Sequence, residues 1–199
     1  MDKRFEELLQ QYIEQTDHPL RKPVEEQLWR EFGATKAVLV MDLSRFSMLT
    51  QKYGIVYNLA MVYRMQSISR PLIEREGGQV IKFEADNCFA MFDDVYPAVR
   101  AALAMNRAFA DLNANTDEKF DILVGTGIDY GEVLLIGGPD YFGMAVNRAS
   151  KLGEDIASGG EILITKSAFE RIPADAYVRA EPLELTISGL KLDALALKY

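Results

Sequence analysis

The chain holds a single cysteine and a single histidine in 199 residues. A lone Cys88 excludes an internal disulfide framework and a cysteine-based structural zinc site. The only histidine, His18, falls in "TDHPLRKP", a stretch that reads as a linker. That excludes a Ser-His-Asp triad, a histidine metal cage and a histidine general base near the middle of the chain. Positive charge is also short: 22 Lys and Arg against 30 Asp and Glu leave a net charge of −8. Long-range electrostatics therefore oppose nucleic acid and acidic membrane surfaces as partners, although a local pocket can still hold a small anion. No apolar run approaches the roughly 18–20 residues of a membrane span. The start, "MDKRFEELLQQYIEQ", is too charged for a secretory signal, and the expected location is the cytoplasm. Any catalysis must then rest on carboxylates, lysines, backbone amides and metal ions.

What is present suits a globular domain. Apolar residues make up 49% of the chain, enough for one core at this length. The expected division is an N-terminal helical extension over 1–34 and a single domain over 35–199. Phe5, Leu8, Leu9, Tyr12 and Ile13 are spaced as an amphipathic helix over 4–14. Pro19 and Pro23 are expected to break it. A short helix, "VEEQLWREFG", follows, with Gly33 as its left-handed C-terminal residue. These segments read either as a cap on the domain or as a dimerising or signal-receiving element.

From residue 36 the pattern changes. "KAVLVMDL" is a strand covered on both faces. A helical region spans 46–76, with Gly54 and Pro71 as irregularities. "GQVIKF" and "NCFAMF" are strands joined by "EAD" as a hairpin, and a helix covers 96–114. "FDILVGTGIDYGEVLLIG" reads as two strands about an Asp129–Gly131 turn. Strand, helix, strand, strand, helix, strand is the split βαβ order of ferredoxin-like α+β domains. Helical 144–157, "EILITKSAFERI" and two strands (176–186, 192–198) complete the chain.

"GGQVIKFEADNCFAMF", residues 77–92, places Lys82, Glu84 and Asp86 inside an apolar stretch, although unpaired ions are costly to bury. Asp42 ends a strand just before a helix begins at "LSRFS". It reads either as a helix N-cap or as a metal ligand beside backbone amides that hold phosphate. Asp86 reads either as a turn former or as a second metal ligand, since the hairpin would lie beside the strand of Asp42. Cys88 is expected in the core. Glu84 is expected as a solvated turn residue, with influence on Lys82 or a metal as the lesser reading.

Over about residues 36–198 the chain resembles the class III nucleotidyl cyclase catalytic domain. The matching segments are "MDLSRFS", the Gly77, Lys82 and Asp86 spacing, and "DYFGMAVNRAS" over 140–150. The resemblance implies that Asp42, Asp86 and the carbonyl of Leu43 hold two Mg²⁺ or Mn²⁺ ions per site. Amides of 43–47, including that of Phe46, and the Ser47 hydroxyl would hold the triphosphate. Lys82 and Asp140 would read adenine, whose ring-nitrogen acceptors and amino donor match a donor-only lysine and an acceptor-only carboxylate. Asn147 would orient the ribose. The implied reaction makes cyclic AMP from ATP, with each site shared across a head-to-tail homodimer.

The chain also departs from the family pattern. Lys151 stands where the family commonly has an arginine, keeping the charge but not the planar fork of donors. Arg148 and Arg45 are candidate substitutes. Loss of one such contact costs ~10²–10³ in rate. Ala85 and Arg45 stand where the family has glycine; Ala85 fits there unless its φ is positive. Lys191 is the candidate for the family's late triphosphate-binding lysine, one position off register. Other readings are a cyclase for GTP or a pyrimidine nucleotide, and a weakly active dimerisation or nucleotide-sensing module.

Overall fold

The computed structural model describes residues 2–16, 18–137, 140–187 and 190–199; the side chains of His18, Thr186, Ile187, Leu190 and Lys191 lie outside that description. At its centre is β1 (Gly33–Leu43), whose apolar residues alternate between two buried faces. Ala37, Leu39 and Met41 join a cluster with Met61, Met65, Ile73 and Met105. Val38 and Val40 join Val133, Ala145 and Ala149 on the other side. Burial on both faces explains the unbroken hydrophobic run. Each large side chain so buried contributes roughly 1.5–3 kcal/mol.

After β1 come α3 (Phe46–Tyr53), α4 (Ile55–Arg75), the hairpin β2 (Gln79–Glu84) and β3 (Asn87–Phe92), α5 (Val95–Asn113) and β4 (Val124–Leu135). The strand order β2-β3-β1-β4, with every neighbouring pair antiparallel, is the split βαβ core. Then β5 (Tyr141–Phe142) pairs with β4 and leads into α6 (Met144–Ser150), a π-helical turn over Lys151–Ile156, β6 (Ile162–Thr165), α7 (Lys166–Phe169), β7 (Arg179–Ile187) and β8 (Leu190–Lys198). Strand β6 runs parallel to β4, and the β8–β7 hairpin extends the sheet to eight strands. The α+β architecture is as expected.

Backbone contact seats α6 on the sheet. A Cβ at Gly127 would lie 2.1 Å from the Ala149 carbonyl oxygen, and one at Gly153 would lie 2.5 Å from that of Val40. Only glycine permits this approach, which sets the height of the helix carrying Asn147 above β4.

The N-terminal helices are α1 (Lys3–Glu14) and α2 (His18–Phe32). Phe5, Leu8 and Leu28 pack with Ile136 against the end of β4. As expected α1 ends before the prolines, but the stretch read as a linker is helical from His18, and Pro23 lies inside α2. Proline there leaves one carbonyl, four residues earlier in the first turn, without its helical donor, and Pro19 falls where amides lack helical partners in any case. Gly33 is no left-handed cap either. It opens β1, where a Cβ would meet the Trp29 carbonyl oxygen at 2.2 Å. Gly54 does divide α3 from α4, with φ 85°, while α4 continues through Pro71.

The expected turn at Asp129–Gly131 is not formed. Asp129, Tyr130 and Gly131 stay within β4, paired with Val38, Ala37 and Lys36 of β1. Asp129 is fully buried. Its carboxylate accepts from Arg148 Nε at 2.5 Å and from the Thr165 hydroxyl at 2.5 Å. Those two bonds let a charge sit in mid-strand. Among the described residues no helix is long and apolar enough to cross a membrane.

Candidate active site

The β1–β3 register carries the hairpin to the end of β1. Asp42 pairs with Asn87 on β3 and with Gly125 on β4, and Asp86 occupies the hairpin turn directly before Asn87. The two carboxyls lie close enough for Asp86 to disfavour the charge of Asp42. Burial first, then Asp86 and Glu154, push Asp42 up to about 7. Burial also raises Asp86. Exposed Glu154, on the π-helical turn, adds a third carboxylate to this field, and its own value rises through partial desolvation and then Asp155 and Asp86.

These raised values give stability a pH dependence of definite sign. In metal-free protein Asp42 keeps its proton to about 7, whereas its ordinary value is 3.8. Between those limits the unfolded chain binds fewer protons, so stability falls as pH rises through this window and levels off above it. Melting curves in chelator should show this fall, and the difference between wild type and Asp42→Asn should isolate it. A difference that grows in favour of wild type toward pH 7 would contradict the assignment.

The donor set fits divalent cations. Two converging carboxyls repel one another when ionised, and a cation relieves that repulsion. The buried amide oxygen of Asn87, cross-strand from Asp42, has no hydrogen-bond partner. Among the described residues no three His, Cys, Asp or Glu side chains form a group that could hold a metal ion. Coordination here would need backbone carbonyl, phosphate or water oxygens besides the two aspartates.

A second group lies apart from the carboxylate pair. Lys82 Nζ donates to Asp140 Oδ1 at 3.1 Å and lies 2.8 Å from Glu84 Oε2. Its ammonium also sits 5.2 Å from the Phe89 ring centre. Glu84, first, and Asp140 hold Lys82 above the usual lysine range. Glu84 is therefore a partner of Lys82, not a merely solvated turn residue.

The remaining expected residues are dispersed. Leu43 is buried at the end of β1. Phe46 opens α3 and packs against the main core, and Ser47 is exposed in the first turn. Asn147 is exposed on α6 and lines a cavity of about 500 Å³ with Trp29, Glu132, Phe142 and Arg148. Lys151 Nζ pairs with Asp155 Oδ2 at 2.5 Å. The Lys191 backbone pairs with Thr186, while its side chain lies outside the described part. Arg148, a candidate substitute for the missing arginine, is committed to Asp129. Cys88 is buried in the core, where desolvation pushes its thiol up to about 12.

The two positions that depart from glycine are both left-handed: Arg45 has φ 66° and Ala85 has φ 50°. The condition under which Ala85 fits without strain is not met. An L-residue there costs about 1–2 kcal/mol, part of which glycine forfeits through its freedom in the unfolded chain. Ala85→Gly is expected to stabilise the fold by roughly 0.5–1 kcal/mol in chemical denaturation.

No family model matches the chain. Uncharacterized proteins of Mycobacterium tuberculosis and Mycobacterium bovis are 26% identical over 155 residues, which is 78% of this chain. The chain spans 38% of the length of these curated relatives. Among solved structures, an adenylate/guanylate cyclase/hydrolase from Silicibacter pomeroyi is 27% identical with a TM-score of 0.67, over 83% of this chain and 96% of that one. The adenylyl cyclase CyaB from P. aeruginosa is 19% identical, TM-score 0.70, over 84% and 96%. The guanylate cyclase domain of RhGC from Catenaria anguillulae, solved with GTP, is 17% identical, TM-score 0.69, over 82% and 96%. With its split βαβ core and its parallel β4–β6 extension, the chain has the fold of the class III adenylate and guanylate cyclase catalytic domains.

Proposed function

We propose that the chain is an adenylate cyclase, converting ATP to 3′,5′-cyclic AMP and pyrophosphate at sites shared across a head-to-tail homodimer. The observation that carries this reading is the convergence of Asp42 and Asp86 at the end of β1, in a chain that also pairs Lys82 with Asp140. Asp42, Asp86 and the Leu43 carbonyl would hold two Mg²⁺ or Mn²⁺ ions, which when bound supply charge neutralisation and Lewis acidity. In the reaction the ribose 3′-oxygen forms a bond to the α-phosphorus, the bond to pyrophosphate breaks, and the hydroxyl proton is released. Asn147 orients the ribose. The α3 N-terminus with Ser47 takes phosphate oxygens, with Lys191 as a further contact. Lys82 donates to a ring nitrogen of adenine, and Asp140 accepts from its amino group. Contacts to the nucleotide would replace part of the present Lys82–Asp140 bond. Lys151 stabilises charge on the transferring phosphoryl group.

The test is exchange of the base-reading pair. Lys82→Glu with Asp140→Cys is expected to lower the ATP-to-GTP ratio of kcat/KM by at least tenfold, because mismatched buried polar groups lose their partners. An unchanged ratio would contradict base reading by this pair.

A slow cyclase is the second reading, favoured by one observation. Lys151 is paired with Asp155 and Arg148 with Asp129, so both cations near Asn147 are engaged within the chain.

A further inference from the structure

A cavity of about 510 Å³ lies between the outer face of α5, the end of α4 and the last strand, and shares no lining residue with the candidate active site. In a chain of net charge −8, its lining carries Arg75, Arg100, Arg107 and Lys198. Of the charged lining side chains these four are cationic and Glu76 is the carboxylate, while Glu181 pairs with Lys198.

The cluster is built, not merely exposed. Glu76, with its side chain 16% exposed, holds Arg100 Nη2 at 2.8 Å and lies 3.6 Å from Arg75 Nε. One shielded carboxylate thus holds the Arg100 guanidinium at the cavity wall, with the more exposed Arg75 beside it. Arg100 also stacks over Tyr96, 5.3 Å from the ring centre. Lys198 is held by Glu181 at 2.9 Å. Arg107, two turns along α5 from Arg100, has no ion-pair partner among the described residues.

Tyr177 adds an independent sign. It lines the same cavity with φ 50° and is 89% exposed. A left-handed tyrosine costs about 1–2 kcal/mol, and here almost no packing offsets it. Strain of this kind persists chiefly where a side chain is presented to something.

We propose that this cavity binds a nucleoside phosphate at a position separate from the candidate active site. Its volume lies within the roughly 300–1,000 Å³ of small-molecule sites. Guanidinium groups match phosphate oxygens in a bidentate manner, and more than one of them suits more than one phosphate. The rings of Tyr96 and Tyr177 offer stacking surfaces for a planar base.

The experiment is equilibrium dialysis of the full chain against ADP in chelating buffer, which removes the divalent ions that the candidate active site would need. Saturable binding is expected, and it should weaken at least about tenfold in Arg100→Ala/Arg107→Ala, the loss of charge-assisted hydrogen bonds. Tyr177→Gly relieves backbone strain, so it should melt higher than wild type yet bind ADP more weakly. Lys82→Glu, which alters the candidate base-reading pair and needs no metal to act, should bind ADP as wild type does. The proposal is overturned by no saturable binding, by affinity unchanged in both cavity variants, or by binding lost in Lys82→Glu. Inorganic phosphate binding as tightly as ADP would remove the nucleoside from the assignment and would likewise contradict it.

Discussion

Asp42→Ala is expected to lower cyclic nucleotide formation by more than about 10²-fold, the scale lost when one preorganised electrostatic group is removed. Asp86→Ala should do the same. A damaged fold cannot account for the loss. Asp42 sits where burial and Asp86 disfavour its charge, so metal-free Asp42→Ala should melt no lower than wild type at neutral pH. Activity should vanish while stability holds. Ordinary turnover in either variant would break the assignment of these carboxylates. The same variants test whether sites are shared. Asp86→Ala and Asn147→Ala should each be inactive alone, and an equal mixture should recover about a quarter of wild-type activity, since half the dimers would then carry one intact site. Heterodimers that form but stay inactive would contradict the shared site.

The second large effect concerns stability. Asp129→Leu is expected to cost about 1–3 kcal/mol, because it leaves Arg148, 34% exposed, without its buried partner. The bond from the Thr165 hydroxyl would be lost as well. Arg148→Leu alone should cost more, about 3–5 kcal/mol, for it strands a carboxylate with no exposure to solvent. The double variant Asp129→Leu/Arg148→Leu should recover most of the loss, since apolar residues often replace a buried ion pair at little cost. Urea denaturation of the four proteins gives the coupling energy directly. Additive losses would show that the pair is not the unit that holds this part of β4 to α6.

This network marks a limit of sequence reading. "DYG" has the composition of a turn, and nothing local distinguishes it from one. What keeps Asp129 in mid-strand lies 19 and 36 residues away, in Arg148 and Thr165. Pro23 misled for a related reason: local propensity forbids it, while packing of α1 and α2 against Ile136 outweighs one lost hydrogen bond. By contrast, β1, the hairpin and α5 were legible from periodicity, because each buries an apolar pattern that only one kind of element can hide. Asp42 and Asp86 could be placed together because strand order alone brings the hairpin beside β1. The Lys82–Asp140 contact spans 58 residues and was legible only through resemblance. Glu154 carried no local signal; only the fold brings it near Asp42. Arg45 and Ala85 were legible as departures from the family's glycines, and only the backbone shows that both are left-handed.

The most direct test of the central claim is to incubate the purified chain with ATP, GTP, CTP and UTP in turn, with Mg²⁺ or Mn²⁺, and to identify products by mass. Cyclic AMP from ATP, absent in Asp42→Ala, is the predicted result. No cyclic nucleotide from any substrate with either metal, from protein shown to be folded and dimeric, would contradict it.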